Sequence, residues 1–438
     1  MRGAVAAAKV ADPFGHPIHL ALAMAYAFVL PLDMVPPAKD FVLVGLLIFT
    51  LLRLPKIFRC YGPIWRDPLT WWIVSWPIWL TISLSWTPLV EFGAEEIRAW
   101  RMILIPSLFW PVMVHYRLIV GAFLAGCLSI VLYQLGQLTG MYELGLDVQG
   151  RADAGMHPIL AGSLLSAGSI WFLSGIYHWN GTRSAACAAG VLITVIGLVL
   201  TGSRGPWIAL SISGTLLTLG IVMLWPPSRK CIGIFSGLGI LALAGVIMLD
   251  VFALSGRFTS PVLNRVDTAL SEFQDAPNED SSLMDSEWYR SSVGYRLLAW
   301  EAARSVFEQH PVIGSGAGGI AAYLDEAWWL NEPEKEVAGI KIQIQHLNPH
   351  SMYLQVLAST GIVGLVLILV PMVMSFIRLV RRIGDPVYCG AGFVLVSWAV
   401  GSIFDSYQMV GTQVGLLMLV YAASLAARPR YRTKEFTS

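Results

Sequence analysis

His350 stands in the stretch NPHSMYLQVLASTGIVGLVLIL, residues 348 to 369, at the first turn of what reads as a long apolar helix. Asn348 suits an N-cap and Pro349 the first helical position. Neither a packed core nor a membrane span asks for an imidazole there. The positive end of the helix dipole disfavours imidazolium, so the ring is expected to stay neutral and able to accept a proton near pH 7, as a general base would. The plainer alternative is a hydrogen-bonded interfacial histidine. His346, ahead of the helix, is the second candidate. Asp405, in GSIFDSYQ, could orient such a base, pair an arginine, or simply end a helix.

Three arginines could serve an anion. Arg204 lies in TGSRGPW (201 to 207), a very short connection between strongly apolar runs, where a guanidinium cannot retreat far into water and calls for an anionic partner. Arg151 and His157 flank the start of an apolar run in QGRADAGMHPILAG (149 to 162); a solvated loop charge and a polar helix start are their plainer readings. In VGYRLLAWEAARSVFEQHPVIGSGAGG (293 to 319), Tyr295 to Gln309 reads as a helix with Arg296, Trp300 and Arg304 along one face. Gly314, Gly316 and Gly319 match GxGxxG, but a helix precedes them and no Gly-Lys-Ser/Thr follows. They read as a turn, not a nucleotide site.

The elements that must position these groups are apolar spans. Of the 438 residues 56% are hydrophobic and only 13% charged, and the mean hydropathy is +0.64, far from a soluble domain. The pattern predicts an all-α polytopic membrane protein. Twelve spans are expected near 18-36, 40-54, 68-87, 102-114, 118-139, 157-177, 185-201, 206-225, 231-250, 350-376, 386-404 and 411-427. Residues 1 to 18 hold no apolar signal core, so the first span is the expected targeting signal. Lys and Arg number 17 on one set of short connections, both tails included, against 5 on the other. Both termini are therefore expected in the cytoplasm, with all the candidate groups on the opposite face.

Three parts follow: spans one to nine over 1-250, a loop domain over 251-349, and spans ten to twelve with a tail over 350-438. In the loop domain, residues 272 to 287 carry six carboxylates and no base. No histidine is interleaved, so a solvated acidic surface is a better reading than a metal site. The five cysteines are scattered singly and read as small core residues. A net charge of +1 gives no support to a nucleic-acid partner.

The string YRLLAWEAARSVFEQHPVIGSGAGG followed by HSMYLQVLASTGIVGLVLIL resembles the hallmark region of the O-antigen ligase and polymerase superfamily, and GSRGPW resembles that family's arginine-containing turn. Ser351 departs from the asparagine that many members have after the histidine. The resemblance implies a glycosyltransferase of lipopolysaccharide biosynthesis, in the bacterial inner membrane. It would move O-antigen glycan from undecaprenyl diphosphate to lipid A-core at the periplasmic face. It also implies roles: His350 as base and Arg204 and Arg296 on the donor diphosphate, with Arg151 less securely placed beside them, while Asp405, His346 and His157 are candidate supports from the reading of the residues alone. A diphosphate leaving group needs charge stabilisation more than protonation, and guanidinium groups give it bidentately. No DxD pair occurs in the outer segments, so neither metal nor cofactor is expected, and direct displacement would invert the anomeric carbon.

Two other readings compete. A polymerase would share these groups and differ only in its acceptor, another lipid-linked glycan. A transporter or flippase for lipid-linked glycan would also have twelve spans and buried arginines, but with paired half-repeats and helices broken at the midplane, and no such repeat is evident.

Overall fold

A computed structural model describes residues 2–33, 35–141, 151–224, 292–320, 336–337, 340–341 and 348–427. Apart from a two-residue antiparallel ladder, Glu336–Val337 with Ile340–Lys341, the described chain is helical. The elements that matter are α1 (Arg2–Ala11), α2 (Gly15–Val29), α3 (Pro36–Ile57), α4 (Pro68–Ile82), α5 (Val90–Ala99), α6 (Tyr116–Leu138), α7 (Pro158–His178), α8 (Thr182–Leu200), α9 (Arg204–Leu224), α10 (Ser292–Gln309), α11 (Met352–Val380), α12 (Pro386–Gly401) and α13 (Gly411–Ala426). Between α5 and α6, residues 100 to 115 alternate 3-10 and α turns. Pro106 and Pro111 there deny the donors a regular helix needs. Among the described residues six helical stretches are long and apolar enough to cross a membrane, and three shorter apolar helices, α2, α12 and α13, accompany them. The expected span at 231-250 and the acidic stretch at 272-287 lie outside the described residues, as does Cys231; the other four cysteines are buried free thiols.

Two Asp-Pro dipeptides start helices at one end of the bundle. Asp67 accepts from Leu69 N at 3.0 Å and Asp385 from Val387 N at 3.0 Å, each ahead of a proline at the first helical position. Each carboxylate also takes an arginine from another element, Asp67 pairing with Arg378 in a two-pronged contact at 2.7 and 2.9 Å and Asp385 with Arg117 at 2.8 Å. This end, which also holds Arg53 and Lys56 with Asp12, is the basic end. In the centre lies α7, whose buried serines take partners across helices: Ser166 with Ser397 at 2.9 Å and Ser169 with Thr194 at 2.8 Å. Small hydroxyl residues let membrane helices approach closely.

The long apolar run that begins after His350 is not one helix. Gly361 has φ +68° and ψ −167°, a conformation open to glycine alone, and it breaks α11 into 352–360 and 362–380. The loop after α10 closes the break. Ser315 N and Gly316 N donate to the freed carbonyls of Ala358 and Ser359 at 2.9 Å each, while Ile362 N and Val363 N donate to Pro311 and Val312 carbonyls at 2.9 and 3.2 Å. Met352 and Leu379, about 40 Å apart in a straight helix, both abut α12. Met352 N donates to Ser402 O at 2.8 Å, and a Cβ on Gly392 would stand 3.3 Å from that of Leu379. Those two positions of α12 are about 15 Å apart, so α11 folds back sharply at the break. Its upper half lies over the end of the bundle opposite the basic one.

Candidate functional site

His350 does not sit in the first turn of the helix. Ser351 is the N-cap, in extended conformation, and the helix begins at Met352. The Asn348 carboxamide, expected to cap a turn from Pro349 onward, is engaged instead within the loop. Its Oδ1 accepts from His350 N at 2.9 Å and from Ser406 Oγ at 2.5 Å. His350 is thereby held at φ +46°, strained for a residue with a Cβ. Trp300 of α10 fastens the preceding carbonyl, its indole N–H donating to Pro349 O at 2.7 Å.

Asp405 faces the imidazole. Its Oδ1 lies 3.3 Å from His350 Nδ1 and accepts from Ser406 N at 2.8 Å. A carboxylate on Nδ1 selects the tautomer that carries its proton there and leaves the lone pair on Nε2. The contact is long for a hydrogen bond, as such contacts often are before substrate binds. The His350 side chain is about one-third exposed, at 32%.

Three further candidates come to the same end of the bundle. Arg204 opens α9; a Cβ on its neighbour Gly205 would stand 3.0 Å from that of Phe404, next to Asp405. A cation at a helix N-terminus opposes the dipole, but the two together attract an anion. Beside it, buried Ser203 Oγ finds no hydrogen-bond partner among the described residues. Arg151 and His157 lie on the segment leading into α7. Two amides of α6 pin that segment: Gln134 Nε2 donates to Ala152 O at 2.7 Å, and Gln137 Oε1 accepts from Ala154 N at 2.8 Å. His157 opens to solvent, yet the surrounding protein desolvates it and lowers its pKa. Asp405 raises that pKa, Arg151 and His350 lower it, and Asp153 raises it, so all four groups are felt at one ring.

Arg296, half-buried on α10, is one helical turn before Trp300 and so shares the face that clamps Pro349. Arg304, on the same line in the sequence, does not join it. It is exposed and engaged with Glu301 and Glu308 of its own helix. His346 lies outside the described residues. Among those described, no three His, Cys, Asp or Glu side chains are grouped to hold a metal ion.

Several supports gave little sign in the sequence. Buried Glu96 of α5 accepts from Gln355 of α11, joining α5 to the upper half of the broken helix. Gln134 and Gln137 are more legible, as amides three residues apart near the end of an apolar helix. A family model described as O-Antigen ligase matches residues 189–369. The match contains Arg204, Arg296, His350 and the break at Gly361, whereas Arg151, His157 and Asp405 lie outside it. No curated protein matches the chain.

Proposed function

We propose, with support from the family-model match over residues 189–369, that this chain is a member of the O-antigen ligase and polymerase superfamily and a membrane glycosyltransferase of lipopolysaccharide biosynthesis. In this reading it moves glycan from undecaprenyl diphosphate to lipid A-core at the periplasmic face of the bacterial inner membrane. The single observation that carries it is the His350 and Asp405 pair at the end of the bundle where Arg204 and Arg151 also stand. The orientation rests on the 17 to 5 asymmetry of basic residues, which puts the basic end and both termini in the cytoplasm. Twelve spans, with residues 251-349 as a periplasmic domain, complete the topology.

In the proposed step, an acceptor hydroxyl oxygen attacks the anomeric carbon of the lipid-linked sugar while its proton passes to Nε2 of His350. Asp405 holds the ring and offsets the positive charge it gains. The bond from that carbon to the diphosphate oxygen breaks, its electron pair leaving with undecaprenyl diphosphate, and configuration inverts. Arg204, Arg296 and Arg151 take up the negative charge that grows on the diphosphate. His157 stands at the same end of the bundle as a support, and His346 is a weaker candidate for the base.

Purified protein incubated with undecaprenyl-diphosphate-linked glycan and lipid A-core tests the reading. Glycosylated lipid A-core is the expected product. Elongated lipid-linked glycan instead would identify a polymerase, and movement of intact donor across vesicles without transfer would identify a flippase. For the orientation, an Asp280→Cys variant is expected to react with an impermeant thiol reagent added outside spheroplasts. Protection there would overturn it.

A further inference from the structure

The basic end holds a second cluster of ionisable groups that the transfer reaction does not use. Arg53, only 4% exposed, donates through Nε to Asp12 Oδ2 at 2.7 Å and through Nη1 to His19 Nδ1 at 2.7 Å. His19 Nε2 in turn meets the Leu108 carbonyl at 2.6 Å, so both nitrogens of that ring are used. Asp12 also accepts from Gly15 N at 3.2 Å and lies 3.6 Å from Lys56. One carboxylate thus serves two cations and a backbone donor.

Three atoms are left over. Arg53 Nη2 and both ring nitrogens of His16 are buried and have no partner among the described residues. The His16 ring faces His115, their centroids 5.4 Å apart, and the charges around it are those of His115, Arg53, Lys9 and Asp12. Any imidazole carries at least one N–H, so the cluster holds at least two buried donors and an excess of positive charge. Such donors call for an acceptor. A metal ion does not fit: Asp12 and His19 are committed to Arg53, which leaves two imidazoles beside fixed cations. The donor set and its charge suit a multidentate oxyanion.

We propose that this cluster binds a phosphate group, and that the phosphate is the headgroup of an anionic phospholipid in the leaflet at the basic end. The lipid source is favoured by the apolar surface beside the cluster. Val10 at the end of α1, Phe14 and Ile18 are 81%, 87% and 51% exposed, giving acyl chains a surface next to the headgroup. Lys9 and Lys56 add the attraction that basic residues at a membrane surface exert on anionic lipids. The bound lipid would fasten α1 across the end of the bundle.

The test uses the full chain, reconstituted in nanodiscs of phosphatidylcholine with and without phosphatidylglycerol, and in detergent with inorganic phosphate. Native mass spectrometry reads retained lipid and thermal unfolding reads stabilisation. Phosphatidylglycerol is expected to be retained and to raise the unfolding midpoint, with affinity falling about tenfold or more in His16→Leu and in surface-exposed Lys9→Gln. His16→Leu should fold well, since leucine removes two unmet polar atoms. If inorganic phosphate stabilises the wild type and the lipid does not, the site stands but its phosphate is free in solution. Equal effects of both lipids with none from phosphate, or variants that respond to phosphatidylglycerol as fully as the wild type, would overturn the proposal. Neither readout depends on glycan transfer, so the result is independent of the proposed reaction.

Discussion

Gly361→Ala is the perturbation that asks most of the broken helix. A Cβ at residue 361 would fall on the Val312 carbonyl, and alanine cannot hold φ +68°, ψ −167° without strain of about 1–3 kcal/mol. To relieve both, the loop of residues 311 to 316 must leave the break. Doing so gives up four backbone hydrogen bonds, those of Ser315, Gly316, Ile362 and Val363, each contributing about 1 kcal/mol net. The joint effect is about 5 kcal/mol of local stability, a change of between about three and four orders of magnitude in local opening. Gly314 faces the same limit, with φ +70° and the Ser359 and Thr360 backbone against it. Hydrogen exchange followed by mass spectrometry on a peptide covering Ser315 and Gly316 is the assay. Wild-type protection is expected to vanish in Gly361→Ala, and glycan transfer to fall with it, because the half-helix after Ser351 loses its anchor. Gly45→Ala, where a Cβ meets open space, should leave both unchanged. Unaltered exchange in Gly361→Ala would refute the pairing of the loop with the break.

Further expectations concern the site. Asp405→Asn keeps the size of the side chain but no longer favours the required tautomer or offsets its charge, so kcat should fall about a hundredfold or more with KM little changed, measured by transfer kinetics. Arg204→Lys keeps a charge and loses the planar fork, so donor binding and kcat/KM should both drop by at least about tenfold; wild-type kinetics would count against a diphosphate role. The folded chain holds the pKa of His157 below its ordinary value, chiefly by desolvation. The unfolded chain therefore takes up that proton at higher pH, and stability should fall as pH drops below about 6.5. In a pH series of unfolding midpoints, His157→Gln should lose that part of the slope.

The candidate groups were legible in the sequence because an imidazole or guanidinium in an apolar setting is costly and has few structural uses. Their distribution along the chain also told which end they share. The fold of α11 was not legible. Gly361 sits in a run that reads as continuous helix, glycine is common in membrane spans, and the segment that fills the break lies some fifty residues earlier and pairs through backbone atoms, which leave no side-chain signature. The start of the helix misled for a different reason. Asn348 and Ser351 are both good N-caps, and tertiary demand decided between them: Ser406 and the His350 amide take the Asn348 oxygen, so Ser351 starts the helix. Arg304 shows the limit of helical spacing, since glutamates three residues before it and four after captured it on the exposed side of its own helix.

The central claim is that His350 accepts the proton of the attacking hydroxyl. Its most direct test is single-turnover glycan transfer by folded His350→Ala protein, with binding of undecaprenyl-diphosphate-linked glycan measured on the same preparation. Transfer is expected to be lost by about a hundredfold or more while donor affinity stays within a few-fold of wild type. Transfer at near wild-type rate by the His350→Ala protein would contradict it.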